Sequence, residues 1–122
     1  MAPGTRIVLI AEDEAIIRLL AAEALEEAGF AVIQACTIDE ALELLSNRAE
    51  AVSLLFTDIN MPGKMDGLAL AHHARGAWPH IALIITSGAL TPPSHALPPR
   101  AVFVPKPYDV EQVAGHARAL TN

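Results

Sequence analysis

The 122-residue chain has one cysteine, Cys36, which excludes an internal disulfide and a thiolate metal cluster. Basic residues are scarce, 8 Lys and Arg against 14 Asp and Glu, for a net charge of -6. With no basic stripe to neutralise phosphates, direct nucleic-acid binding is not expected. No apolar run approaches the roughly 20 residues of a membrane span. The opening Met1-Ala2-Pro3-Gly4-Thr5-Arg6 lacks the basic region, apolar region and cleavage site of a signal peptide. Internal repeats and low-complexity linkers are also missing. The expectation is one cytoplasmic domain over residues 1–122, with no membrane partner and no effector domain.

Apolar residues are plentiful, 52% of the chain, enough for a self-sufficient core. Charge is uneven: residues 59–122 carry 3 acids, against 11 in residues 1–58. Acidic helix faces account for most of this asymmetry. The central stretch is Leu54-Leu55-Phe56-Thr57-Asp58-Ile59-Asn60-Met61-Pro62-Gly63. A short apolar run bounded by a Pro-Gly turn reads as a buried strand, which puts Asp58 at its C-terminal end.

The other runs follow the same rhythm. Arg6 to Ala11 reads as a first strand, followed by Glu12-Asp13-Glu14 and a helix from Ala15 to Ala28. Its inward stripe is Ile17, Leu20, Ala21, Ala24, Leu25 and Ala28, with Gly29 closing it. Phe30 to Ala35 is a second strand, and Cys36 at its end reads as a small hydrophobe. Thr37 and Glu40 form a capping box for a helix to Arg48. Ala51 to Thr57 is the third strand. A helix from Asp66-Gly67 to Arg75 follows, with His72 and His73 about 100° apart on its surface and unable to chelate together. Trp78 is a loop anchor.

Ile81 to Ile85 is the fourth strand, ahead of Thr86-Ser87-Gly88. Residues 89–100 contain Pro92, Pro93, Pro98 and Pro99, so the fourth helix is expected to be short or disrupted. Ala101 to Val104 is the fifth strand, followed by Pro105-Lys106-Pro107 and a last helix from Asp109 to Leu120.

Such alternation predicts an α/β fold: a five-stranded parallel sheet, order 2-1-3-4-5, with helices on both faces. At its switch point strands 1 and 3 are neighbours, which brings Glu12 and Asp13 beside Asp58. Three carboxylates cannot share a cleft as anions unaided: either a pKa rises or a cation enters, and an all-oxygen set suits Mg²⁺. The same edge receives the Thr86 hydroxyl and the Lys106 ammonium, a set able to hold a phosphoryl group on Asp58.

On these residues the chain resembles a CheY-like response-regulator receiver domain over essentially its whole length. The motifs are Glu12-Asp13, Asp58, Met61-Pro62-Gly63 with Asp66-Gly67, Thr86-Ser87-Gly88 and Lys106-Pro107. The resemblance implies phosphoryl transfer from a phosphohistidine to Asp58. It implies Mg²⁺ held by Asp13, Asp58 and the Asn60 backbone carbonyl, with Glu12 helping through water. Lys106 would pair with phosphoryl oxygens, Thr86 would swing toward the phosphate, and Phe103 would follow as the switch aromatic. A cis peptide before Pro107 is a common family feature.

Four departures stand out. The acidic pair is Glu-Asp, and the loop after Asp58 is one residue longer than the shortest family version. Phe103 lacks a tyrosine hydroxyl. The proline-rich stretch stands where the fourth helix would be, which affects the usual output and dimer surface.

The implied protein is a phospho-acceptor that catalyses only its own phosphorylation and dephosphorylation, so it is not an enzyme in the turnover sense. Its partners would be a sensor histidine kinase or histidine phosphotransfer protein, and a downstream protein not identified by sequence. It would be a monomer or a weak phosphorylation-dependent dimer. Met1 and the stop after the last helix suggest a free-standing protein. The alternatives are a receiver of a hybrid histidine kinase and a degenerate receiver that only binds a partner. A flavodoxin-like carrier would want hydroxyls and glycines where Glu12-Asp13-Glu14 stand. An aspartyl phosphatase would want an acid at Asn60.

Overall fold

The computed structural model describes residues 5–89 and 91–122. Met1 to Gly4, part of the opening segment, and Leu90, in the proline-rich stretch, lie outside them. Five parallel strands, β1 (Ile7–Ala11), β2 (Ala31–Ala35), β3 (Val52–Asp58), β4 (Ala82–Ser87) and β5 (Val102–Pro105), form one sheet. Its order is β2-β1-β3-β4-β5, as expected. Helices α1 (Ala15–Glu27), α2 (Ile38–Arg48) and α3 (Gly67–Ala77) fill the crossovers after β1, β2 and β3, and α4 (Val110–Thr121) follows β5.

Every residue of β1 is buried, because both faces of the sheet are covered. Leu9, Leu55, Leu83 and Ile85 point toward α2 and α3, and Val8, Leu54, Phe56 and Ile84 toward α1 and α4. The alternation assigns each strand residue to one of two cores.

Local chemistry sets the helix ends. Gly29 takes φ 101 after α1; the Phe30 amide reaches Leu25 O at 3.0 Å and the Gly29 amide reaches Glu26 O at 3.0 Å, a Schellman closure. Thr37 Oγ1 accepts from the Glu40 amide at 3.1 Å, capping α2. Glu40 Oε1 accepts from the Cys36 amide at 2.9 Å, so the capping box is shifted by one residue from its usual form. Thr37→Ala is expected to lower stability by about 1 kcal/mol, seen as an unchanged urea m-value with a reduced midpoint.

One expectation needs correction. Leu20 is 55% exposed, with Ile16 and Leu19 beside it, while Ala22 is buried. Contact with the sheet and α4 turns the inward arc of α1 toward its alanines and leaves Leu20 on the flank. Cys36 is exposed, because β2 ends at the buried Ala35 and the chain then turns outward.

Among the described residues, the crossover between β4 and β5 holds a single 3-10 turn, Ser94–Ala96, in place of the fourth helix. Proline spacing produces this outcome by removing donors and fixing φ. Side chains of α3 hold the crossover instead: His72 Nε2 lies 2.7 Å from Ala96 O, and Arg75 Nε donates to Pro99 O at 3.0 Å. His73 meets the edge of Trp78, which packs against the core.

Candidate functional site

Parallel strands with aligned C-terminal ends bring the candidate residues together. Glu12 follows β1, Asp58 ends β3, Thr86 lies opposite Asp58 in the β3–β4 register, and Lys106 follows β5. Lys106 Nζ sits 2.7 Å from Asp58 Oδ2 and 2.8 Å from Glu12 Oε1, bridging two carboxylates that are both 3% exposed. The Asn60 amide donates to Asp58 Oδ1 at 3.0 Å, and the Glu14 amide to Glu12 Oε2 at 3.2 Å. Arg18 Nη1 donates to Glu12 O at 2.9 Å, tying the loop after β1 to α1. The Lys106–Pro107 peptide is cis.

Asp13 is exposed but belongs to the same cluster. Glu12, Asp13 and Asp58 each offer an oxygen within 4.8 Å of the others. This all-oxygen donor set fits a hard divalent cation, and it lacks the imidazole and thiolate ligands that zinc prefers.

Burial pushes the Glu12 carboxyl above its ordinary value, and the Asp58 charge adds to this, against the pull of Lys106 and the Glu14 amide. Burial alone would depress Lys106, but hydrogen bonds to Asp58 and Glu12 prevail and raise it above 10.5.

Thr86 Oγ1 is buried without a hydrogen-bond partner among the described residues. An unpaired buried hydroxyl costs about 1–3 kcal/mol. Thr86 lines a narrow gap with Glu12, Phe56, Asp58 and Tyr108, so its free hydroxyl borders the Asp58 carboxylate. Asn60 Nδ2 donates to Ser87 Oγ at 2.8 Å, fixing the Asn60 side chain beside the site.

Phe103 is not brought to the carboxylates. It pairs with Ile85 and lies half-buried on the opposite face, in the core with Leu97 and Ala101. Sequence reasoning missed Tyr108 and named Gly67 only as part of a motif, without its close approach to Asp58. Tyr108 packs edge-on against Phe56 at 5.6 Å between centroids. Burial, followed by the Glu12 charge, pushes its phenol up to about 12. An aromatic two residues after Lys106 was its only signal. Gly67 lies so close to the end of β3 that a Cβ there would come 1.7 Å from Asp58 O.

Residues 8–117 match the family model described as the response regulator receiver domain. The chain belongs to the response-regulator receiver family. This receiver is 37% identical to the response regulator receiver protein CpdR of Brucella abortus, covering 94% of this chain and 90% of that protein. It is 35% identical over 114 residues to the sensor kinase CckA of the same species, covering 91% of this chain but 12% of the kinase. A response regulator receiver protein from Sinorhizobium medicae superposes with a TM-score of 0.91 at 28% identity, covering 99% of this chain and 98% of that one. The receiver's carboxylates, Thr86 and Lys106 all gather at the C-terminal edge of the sheet, where open α/β folds bind ligands.

Proposed function

We propose that this receiver accepts a phosphoryl group on Asp58 from the phosphohistidine of a sensor histidine kinase or histidine phosphotransfer protein. The observation that carries the reading is the buried Asp58 carboxylate, which shares Lys106 with Glu12 and borders the unpartnered Thr86 hydroxyl. Asp58 attacks phosphorus, the P–N bond breaks, a P–O bond forms, and the imidazole departs to recover a proton. Lys106 balances phosphoryl charge, and Thr86 donates its free hydroxyl to a phosphoryl oxygen.

Asp13, Asp58 and the Asn60 carbonyl, with Glu12 through water, are the groups that would hold Mg²⁺. When bound, the ion neutralises charge on the transferring group. Phe103 follows Thr86 as the switch residue. Water later attacks phosphorus and releases phosphate, regenerating Asp58. Asn60 is placed to meet that water and Gly88 offers no shielding side chain, so the phospho-form is short-lived.

The protein is not an enzyme acting on a separate substrate. It signals by binding a downstream protein in the cytoplasm, or it drains phosphoryl groups from a relay, as a monomer or weak phosphorylation-dependent dimer. Exposed Leu20 lines a cavity of about 370 Å³ together with Ile17, Lys106, Pro107, Tyr108 and Val110, and Ile16 and Leu19 are exposed on the same helix. That apolar surface reaches Lys106 and suits a phosphodonor protein that must bring its histidine to Asp58. Near full-length coverage of CpdR supports a stand-alone regulator. Similarity to CckA supports the second reading, a receiver within a kinase.

Intact mass after incubation with acetyl phosphate and Mg²⁺ tests the chemistry. One phosphoryl adduct is expected, absent without Mg²⁺ and absent in Asp58→Asn. An unmodified wild-type mass, both with acetyl phosphate and with a phosphorylated histidine phosphotransfer protein, would overturn it in favour of a degenerate receiver.

A further inference from the structure

Opposite the carboxylates, at the N-terminal edge of β4 and β5, lies a cavity of about 180 Å³. Arg75, Pro79, His80, Arg100 and Leu120 are among its lining residues. Arg75 is fixed in place: Nε donates to Pro99 O at 3.0 Å, and Nη1 to Pro79 O at 3.0 Å and Ile81 O at 2.9 Å. Its Nη2 has no acceptor among the described residues, although a guanidinium carries five donors.

Arg100 has neither a hydrogen-bond partner nor a carboxylate partner among the described residues, where both ion pairs belong to Lys106. It also stands in an unusual backbone position. The Ala101 amide bonds to Pro98 O at 3.3 Å, closing a turn with Pro99 at its second position and Arg100 at its third, with φ 65. Proline followed by a positive φ is the type II pattern, and its third position favours glycine. A left-handed conformation is strained for an L-residue other than glycine. Burial, together with repulsion from Arg100, holds the Arg75 guanidinium below its ordinary pKa. Two arginines therefore share a concave pocket without a carboxylate partner among the described residues, on a chain of net charge -6.

We propose that this cavity is an oxyanion-binding site, taking a phosphate-sized anion between Arg75 and Arg100. Arg75 is held rigid before binding, so its free Nη2 donors lose little entropy on meeting an oxygen. Arg100 supplies the second charge-assisted contact. The volume accommodates a free phosphate or the terminal phosphoryl group of a small molecule. Its position at the far end of the sheet makes this site independent of the reading of Asp58.

The test is thermal unfolding and amide NMR of the full chain without Mg²⁺, titrating inorganic phosphate against chloride at constant ionic strength. A saturable rise in midpoint is expected, roughly 5 °C at ten times the dissociation constant. Shifts should be centred on Arg75, Ile81 and Arg100. Arg100→Gly removes the cation and suits the turn, so it should melt at or above the wild-type temperature in chloride while losing the phosphate response. Parallel titrations with acetate and with a sugar phosphate distinguish carboxylate, free phosphate and phosphomonoester as the anion. No saturable shift with any of these anions, an equal response in Arg100→Gly, or shifts centred on Asp58 would each overturn the proposal.

Discussion

Lys106→Met should lower folding stability by about 3 kcal/mol at neutral pH in the absence of divalent cations. The side chain is 13% exposed and bridges Asp58 and Glu12 at 2.7 and 2.8 Å. Removing one partner of a buried ion pair costs about 3–5 kcal/mol, and the residual solvent contact of Lys106 favours the lower end. The loss should shrink with acid. Glu12 has a folded-state pKa above its ordinary 4.5. Its protonation therefore favours the folded state: that contribution is fully present below the ordinary pKa and disappears as pH rises through the raised one. Without Lys106 the carboxyl rises further, so urea midpoints of the variant should recover between neutral pH and about pH 5.

Added Mg²⁺ should restore part of the loss at neutral pH, because a cation again stands among Glu12, Asp13 and Asp58. In the wild type the contribution of Lys106 runs the same way along the pH axis, but in a far more alkaline range. Its folded-state pKa is raised, so the stabilisation is intact below 10.5 and is lost only as pH climbs through the folded value. Urea titrations at several pH values, with and without Mg²⁺, check all of these. Equal stability of Lys106→Met and wild type at neutral pH would remove the bridge as an energetic feature.

Gly67→Ala should be more disruptive than any other glycine substitution in the helices. Its added Cβ would lie 1.7 Å from Asp58 O, 2.6 Å from Asp58 C and 2.8 Å from Thr57 Oγ1. The first two are backbone atoms that no rotamer change can move, so α3 must shift away from the end of β3. A loss of at least about 3 kcal/mol is expected, beyond ordinary overpacking, because the displaced atoms are main chain. Phosphoryl acceptance should fall with it, since the shift moves the carbonyl of the acceptor residue itself.

Gly76→Ala is the control. Nothing lies within 4 Å of its Cβ position, and alanine in that helix should raise stability by roughly 0.5–1 kcal/mol. A purely structural clash would reduce the folded fraction of Gly67→Ala, and a displaced Asp58 would also slow acceptance per folded molecule. Adduct yield normalised to near-UV circular dichroism separates the two. Equal urea midpoints for Gly67→Ala and wild type would rule out the close approach.

The sequence by itself determined the five strands, the sheet order and the identity of the residues at the strand ends. Each strand is a short apolar run stopped by turn residues, and right-handed crossovers leave few ways to arrange five of them. Once β1 and β3 are neighbours, Glu12 and Asp13 must stand near Asp58, and the ends of β4 and β5 bring Thr86 and Lys106. The prolines of residues 89–100 likewise forbade a regular helix, because their effect on the backbone is local.

Only the tertiary structure decided which surfaces meet. A helical stripe places Leu20 with Ile17 and Ala21, yet the packing of α1 against α4 and the sheet leaves Leu20 exposed. Gly67 carries a turn signal in sequence, whereas its closeness to Asp58 O depends on how α3 descends onto β3. Tyr108 enters the site through the path of the chain after Lys106. Arg75 and Arg100 converge because the crossover without its helix is tied back to α3. Periodicity states which face of an element is apolar; the contacts between elements fix how far that face is turned and how close two backbones come.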